Sequence, residues 1–265
     1  MSDRTVLITG ASSGIGAATA AALATRGFRV IGTSRKPETI AADARVPGVE
    51  YRALDMSDPA GIETFAAELG EIDILINNAG ESQAGALEEM PIDAIERLFQ
   101  VNVFGPVRLT QLLLPGMRAR GRGHIVMVGS MLASFPLAYR SSYVATKAAI
   151  KGFAESLRRE VSPFGIEVTT IEPGSINTGI TTRRYVYSDE NSPYRVELDA
   201  VLAALRSKEA AGISAEKVAR TLTRVIDSPR SFVAVGSRAP LAFALRRLLP
   251  RAMMEKITAA QLGLK

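Results

Sequence analysis

Apolar residues along the chain fall into two alternating patterns. Seven short runs are apolar almost throughout: RTVLITG (4–10), FRVIGTSR (28–35), VEYRALD (49–55), IDILINN (72–78), GHIVMVGS (123–130), GIEVTTIEP (165–173) and SFVAVG (231–236). Rich in Val and Ile and ending in polar or turn-forming residues, they read as buried strands. Between them lie stretches with the helical period: GIGAATAAALATRG (14–27), PIDAIERLFQVNVFGPVRLTQLLLPGMR (91–118), AAIKGFAESLRREV (148–161) and SAEKVARTLTRVID (214–227). In the third, Ile150, Phe153, Leu157 and Val161 repeat at helical spacing. Strands apolar on both faces need helices on both sides. The expected class is therefore α/β, a doubly wound parallel sheet of about seven strands. No composition shift marks a boundary, so residues 1–265 read as a single domain. The longest stretch without a clear pattern, 174–212, follows the sixth strand. Ligands of such sheets bind beyond the carboxyl ends of the strands, so this insertion is placed to cover a substrate. A last segment, 240–265, opens with the basic amphipathic PLAFALRRLLPRAMMEKI. Leu241, Leu245, Leu248 and Met253 fall near one face, beside Arg246, Arg247, Arg251 and Lys256, with Pro250 interrupting the run. Such a segment suits a neighbouring subunit, an apolar substrate or, less favourably, a membrane surface.

Composition narrows the chemistry. The absence of cysteine excludes disulfides and thiolate catalysis, and the single histidine, His124, excludes a multi-histidine metal site. No metal is expected. A net charge of +5 tolerates anionic ligands, and no nucleic-acid-binding motif accompanies it. The N-terminal residues lack a signal-peptide pattern and no apolar run reaches membrane-spanning length, which makes cytoplasmic the expected location.

The most informative turn is TGASSGIG (9–16), between the first strand and the first helix. Gly10 permits a tight turn, and Gly14 and Gly16 allow close approach of backbone to a phosphate. Ser12, Ser13 and Ile15 complete the loop. The following helix N-terminus offers free N–H groups to a pyrophosphate. The sheet is then of the Rossmann type and the ligand a dinucleotide. The same residues imitate a hydrolase elbow, GASSG, with Ser12 as nucleophile and His124 as its base. That elbow normally follows several strands, and its histidine follows a late one; here His124 begins a central strand and reads as structural. The second strand closes on Thr33-Ser34-Arg35-Lys36. Ser34 stands where a carboxylate would hold a ribose hydroxyl, and Arg35 can bind a 2′-phosphate, so NADP(H) is expected over NAD(H).

In SYVATK (142–147), Tyr143 precedes Lys147 by one helical turn, so both point into the same space. A phenol gives up its proton near pH ~10, and a neighbouring cation lets it exchange protons closer to neutrality. Ser130, at the end of the fifth strand, can reach the same region and hydrogen-bond a developing oxyanion.

TGASSGIG, NNAG (77–80), Asn102, Ser130, YVATK and PGSINT (173–178) resemble, in order and spacing, the motifs of the short-chain dehydrogenase/reductase family. The resemblance covers most of the chain. It implies a catalytic set of Asn102, Ser130, Tyr143 and Lys147, with the lysine also on the nicotinamide ribose. It places Asp55 and Met56 at the adenine, Asn78, Ala79 and Gly80 along the adenosine, and Pro173, Gly174, Ile176 and Thr178 at the nicotinamide. Asp55, within DMSD, equally suits a turn. The activity implied is interconversion of a small-molecule carbonyl and a secondary alcohol, in a homodimer or homotetramer. The alternative is a dinucleotide-binding sensor or scaffold, which would have lost the Ser, Tyr or Lys. Phe135, Leu137, Tyr139, Tyr185 and Tyr187 suit an apolar substrate pocket, and core packing explains such residues equally.

Overall fold

The computed structural model describes residues 4–236 and 239–260. Its centre is a parallel sheet of the seven expected strands: β1 (Thr5–Ile8), β2 (Arg29–Ser34), β3 (Val49–Ala53), β4 (Ile74–Asn77), β5 (Gly123–Val128), β6 (Ile166–Pro173) and β7 (Phe232–Val235). In the sheet they run 3-2-1-4-5-6-7. Chain order reverses between β1 and β4, and such a reversal opens a crevice at the carboxyl ends of the strands.

Alternation within each strand explains the two helical layers. Val6 and Ile8 face α1 (Gly14–Ala24) and α7 (Ala215–Asp227), joining Ala20, Leu23, Val218, Leu222 and Ile226. Leu7 points the other way, toward α2 (Pro59–Ala67), α4 (Gly105–Ala119) and α5 (Ser141–Val161), joining Phe65, Leu109, Met117 and Ile150. Successive strand side chains point to opposite faces, so an all-apolar strand feeds two cores at once.

Three expectations need correction. The run 91–118 is not one regular helix. α3 (Ile92–Phe99) and α4 are joined by a π-helical segment, Gln100–Phe104. Pro106 has no N–H, so the donor an α-helix would send to the carbonyl of Asn102 is missing. The stretch 174–212 is not irregular. It carries α6 (Arg195–Ala210), whose Leu198, Val201, Leu202 and Leu205 repeat at helical spacing and are buried. Short bridges pair Gln83–Ala84 with Tyr185–Val186 and Ile176–Asn177 with Ile213–Ser214, tying this segment to the body. The final segment splits at Pro250, as its sequence indicates, into α8 (Ala239–Leu248) and α9 (Arg251–Ala260), and residues 261–265 lie outside the described residues. Its expected apolar face divides as well. Leu245 turns to the crevice, while Leu241, Leu248 and Met253 are exposed. Phe243 fixes α8, packing edge-on against Phe135 and Phe232 at 5.1 and 5.2 Å between centroids.

His124 is structural, as its place at a strand start suggests. It is buried, with Nε2 at 2.8 Å from Thr169 Oγ1. Burial, reinforced by the charge of Arg4, pushes the imidazole down to about 4. Because the folded value lies below the ordinary 6.5, the neutral ring contributes stability above pH ~6.5, and that contribution is lost as pH falls toward ~4. A gap of that size corresponds to about 3 kcal/mol. Urea unfolding at about pH 7 and about pH 4.5 should therefore show a steeper loss for the wild type than for His124→Gln, by about 2–3 kcal/mol. Equal losses in both proteins would exclude His124 as an acid-sensitive point.

Candidate active site

The phosphate turn is held from behind by the end of β4. Thr9 Oγ1 accepts from the backbone N–H groups of Asn78 and Ala79, both at 3.0 Å. The Asn78 amide donates to the carbonyls of Thr9 and Gly10 at 2.9 and 3.1 Å. Asn78, expected along the adenosine, thus also clamps the turn. Gly10 and Gly14 adopt φ of 68° and 56°, values that favour glycine. A Cβ on Gly16 would lie 2.1 Å from the Gly10 carbonyl oxygen, so this glycine lets helix and strand approach rather than facing the ligand. With its backbone bare and α1 beginning at Gly14, the turn fits a pyrophosphate.

At the end of β2, Ser34 is half-buried and Arg35 reaches into solvent. Arg35 Nη1 stands 3.6 Å from Glu81 Oε1, the oxygen that also accepts from Arg97 Nη2 at 2.8 Å. Asp55 Oδ1 accepts from the backbone and hydroxyl of Ser57 at 2.8 and 2.7 Å, which is the turn reading of that residue. Partial burial raises its carboxyl, but the Ser57 bonds and then Arg35 and Arg97 outweigh this and leave it below the usual carboxylate range.

At the other end, Tyr143 and Lys147 lie on the first turns of α5, both buried. Lys147 Nζ donates to the Val128 carbonyl at 3.1 Å and stands 5.8 Å from the Tyr143 ring centroid. Ser130 follows β5, its hydroxyl accepting from the N–H of Leu132 at 3.2 Å. Asn102 is buried in the π-helical segment. Its Oδ1 accepts from the N–H of Glu81 at 2.8 Å, and its Nδ2 donates to the Glu81 carbonyl and to Thr146 Oγ1 at 3.0 and 3.2 Å. Its side chain therefore braces the strand end against α5.

One cleft of about 1230 Å³ runs between these ends. Every expected site residue lines it except Gly16 and Asn102, which lie behind its wall. Of the positions expected at an apolar pocket, Phe135, Leu137 and Tyr185 reach it, whereas Tyr139 and Tyr187 do not. Tyr139 bonds Glu197 instead, at 2.5 Å. Residues that sequence reasoning missed also line the cleft, among them Leu132, Arg140, Arg183, Arg184, Leu205, Glu209, Met254 and Ile257. Arg140 had a signal, one turn before Tyr143 at helical spacing. The others come from segments far apart in sequence. Arg183 donates to Ser13 Oγ at 2.6 Å and to the Thr178 carbonyl at 3.2 Å, closing the phosphate turn from above. Among the described residues no cluster of metal-ligating side chains occurs, and no helix is long and apolar enough to cross a membrane.

Fold and cleft together define a dinucleotide-binding oxidoreductase. The family model for short chain dehydrogenases matches residues 4–186. A 3-ketodihydrosphingosine reductase from Bacteroides thetaiotaomicron is 33% identical over 260 residues, covering 96% of each chain. The crystal structure of a short-chain dehydrogenase from Streptomyces avermitilis matches with a TM-score of 0.83 at 34% identity, over 100% of this chain and 99% of that one. The closed form of serine dehydrogenase complexed with NADP+ matches with a TM-score of 0.75 at 27% identity, over 88% of this chain and 94% of that one. The chain belongs to the short-chain dehydrogenase/reductase family, enzymes that act on CH–OH donors with NAD or NADP.

Gly16→Ala tests the turn. Alanine in place of helical glycine gains up to ~1 kcal/mol in propensity. Overpacking against a rigid backbone oxygen costs about 1–3 kcal/mol and outweighs it. Thermal unfolding should move down and dinucleotide affinity should fall together. A higher melting temperature with unchanged affinity would contradict this account of the close approach.

Proposed function

We propose that the enzyme interconverts a carbonyl and a secondary alcohol using NADP(H), with Tyr143 as the acid/base. The observation that carries this reading is the sharing of one cleft by the glycine turn and by Ser130, Tyr143 and Lys147. The dinucleotide, when bound, supplies or accepts the hydride. In the reducing direction, Ser130 hydrogen-bonds the carbonyl oxygen and Tyr143 gives that oxygen its proton. The ammonium of Lys147 stabilises the phenolate left behind. Asn102 acts through position, joining the Glu81 backbone to Thr146 on the catalytic helix. The insertion 174–212 and the α8–α9 pair serve as the cover of the substrate end, and their leucines and isoleucine suit an apolar substrate body. The reading also takes the enzyme to be a cytoplasmic homodimer or homotetramer. Exposed Phe104 and Phe153, at the start of α4 and on α5, favour association through those helices.

Tyr143→Phe should lower kcat by about a hundredfold or more, while dinucleotide affinity stays within a few fold. Near-native turnover in this variant, measured on the best carbonyl substrate, would remove Tyr143 from the mechanism.

Cofactor choice is carried by Ser34, which offers no negative charge to repel a 2′-phosphate, and by Arg35, exposed enough to swing from Glu81 onto it. Charge-assisted hydrogen bonding of this kind corresponds to about ten- to a hundredfold preference for NADPH over NADH in kcat/KM. Ser34→Asp should invert the preference, and Arg35→Ala should reduce it. A native preference for NADH, or no change in Arg35→Ala, would refute the assignment and leave the oxidoreductase class standing.

A further inference from the structure

We infer that the substrate end of the cleft is an anion site: the carbonyl compound carries a carboxylate or similar anion a few bonds from its reacting carbon, held by Arg140 with Arg184 beside it. The inference rests on the proposed carbonyl chemistry at Tyr143.

Arg140 precedes the first turn of α5 and lines the cleft, yet it is only 2% exposed. Its guanidinium lies over the Tyr143 ring, 4.5 Å from the centroid. Nη2 donates to Ser82 Oγ at 2.9 Å, while Nε is buried with no acceptor. No carboxylate lies within ion-pair distance of it among the described residues. Arg184, with a side chain 3% exposed, donates to the same Ser82 hydroxyl at 3.3 Å and pairs with Glu209. Two buried cations therefore share one neutral hydroxyl and one carboxylate.

A guanidinium out of water without a counter-charge is costly, and truly unpaired ones are rare. Its planar fork of five N–H groups matches the two oxygens of a carboxylate. Burial, then repulsion by Arg184, pushes Arg140 down to about 10 against the smaller opposing pull of Tyr143 and Glu209. Service to the phenol alone would leave Nε without an acceptor and the charge with only a hydroxyl partner, and Lys147 already stands beside that ring. A carboxylate from the ligand satisfies both. Because Arg140 stacks on the ring whose hydroxyl meets the carbonyl, the anion and the carbonyl are close neighbours in the substrate. Phe135, Leu137, Leu205, Leu245 and Ile257, which line the same cleft, suit a hydrocarbon tail. The class that fits is a keto acid, or the matching hydroxy acid, with an apolar body.

The test uses a medium-chain γ-keto acid and its methyl ester, which keeps the shape and removes the charge. Turnover is measured with NADPH, and binding to the NADP+-loaded protein by equilibrium dialysis. The acid should bind, and be reduced, about ten- to a hundredfold better than the ester. Arg140→Met should erase that ratio by weakening the acid more than the ester, and Arg140→Lys should restore part of it. NADPH affinity checks that the variants fold; if Arg140→Met does not, the wild-type ratio decides alone. An ester handled as well as the acid, no binding of the acid, or a ratio unchanged in Arg140→Met overturns the inference. Tighter binding of the acid without any hydride transfer would uphold the anion site and count against the carbonyl chemistry. Reduction of the ester alone would do the reverse.

Discussion

The close approach of three backbones at the head of β1 sets the position of everything else in the cleft. Gly10 leaves β1 with positive φ, its carbonyl oxygen sits where a Cβ of Gly16 would be, and the Asn78 amide caps both Thr9 and Gly10. A Cβ on Gly10 would itself meet Ala79 Cα at 2.9 Å. No side chain fits at Gly10 or Gly16 themselves, so α1 is drawn onto the sheet and its N-terminus is aimed at the crevice. The strand-order reversal between β1 and β4 opens that crevice at the same point.

From this junction the polar groups follow as continuations of strand ends. The chain beyond β4 passes Gly80, where an added Cβ would touch Asn102 Oδ1 at 3.1 Å and Lys147 Nζ at 3.6 Å. The Glu81 backbone then donates to Asn102 Oδ1 and accepts from Asn102 Nδ2, and its carboxylate receives Arg97 and Arg35. Ser82 accepts from Arg140 and Arg184. Three consecutive residues thus pass beside Lys147, the Arg35–Arg97 pair and the Arg140–Arg184 pair. Buried polar chains of this sort are stable only when their members find partners, and Arg140 is the member that has too few.

What was legible in the sequence is what local physics fixes. Strands buried on both faces must be apolar throughout, which marks the inner ones, and the partly buried edge strands β3 and β7 are marked by Val, Tyr and Phe; all seven could be read, with their ends shifted by a residue or two. Glycines that admit no Cβ announce the phosphate turn. Tyr143 and Lys147 declare their proximity through helical spacing alone. α6 was also written in the chain, as Leu198, Val201, Leu202 and Leu205, but the polar, proline-containing residues before it hid the period. The π-helical segment was less accessible. Pro106 signals a lost donor, yet whether a helix kinks, breaks or widens there depends on what packs around it. Phe153 misled for a related reason: its spacing matches Ile150 and Val161, but it lies at the margin of that face and stays exposed.

The two ends of the cleft differ in legibility because they are built by different means. The dinucleotide end is made of backbone N–H groups and missing side chains, and both are dictated by residues adjacent in sequence. The substrate end is assembled from long side chains on segments that meet only in the folded protein: Ser82 after β4, Arg140 before α5, Arg184 ahead of α6, Glu209 at its end. No spacing relates these positions. They are related by charge balance, which can be computed only once they are neighbours. The backbone bridge of Gln83–Ala84 to Tyr185–Val186 brings them together, setting Arg184 against Ser82 just upstream of the paired residues. A two-residue ladder is a weak fastening by itself. The Arg184–Glu209 pair and the Ser82 hydrogen bonds reinforce it, so the same contacts that gather positive charge at the substrate end also hold the insertion against the catalytic core.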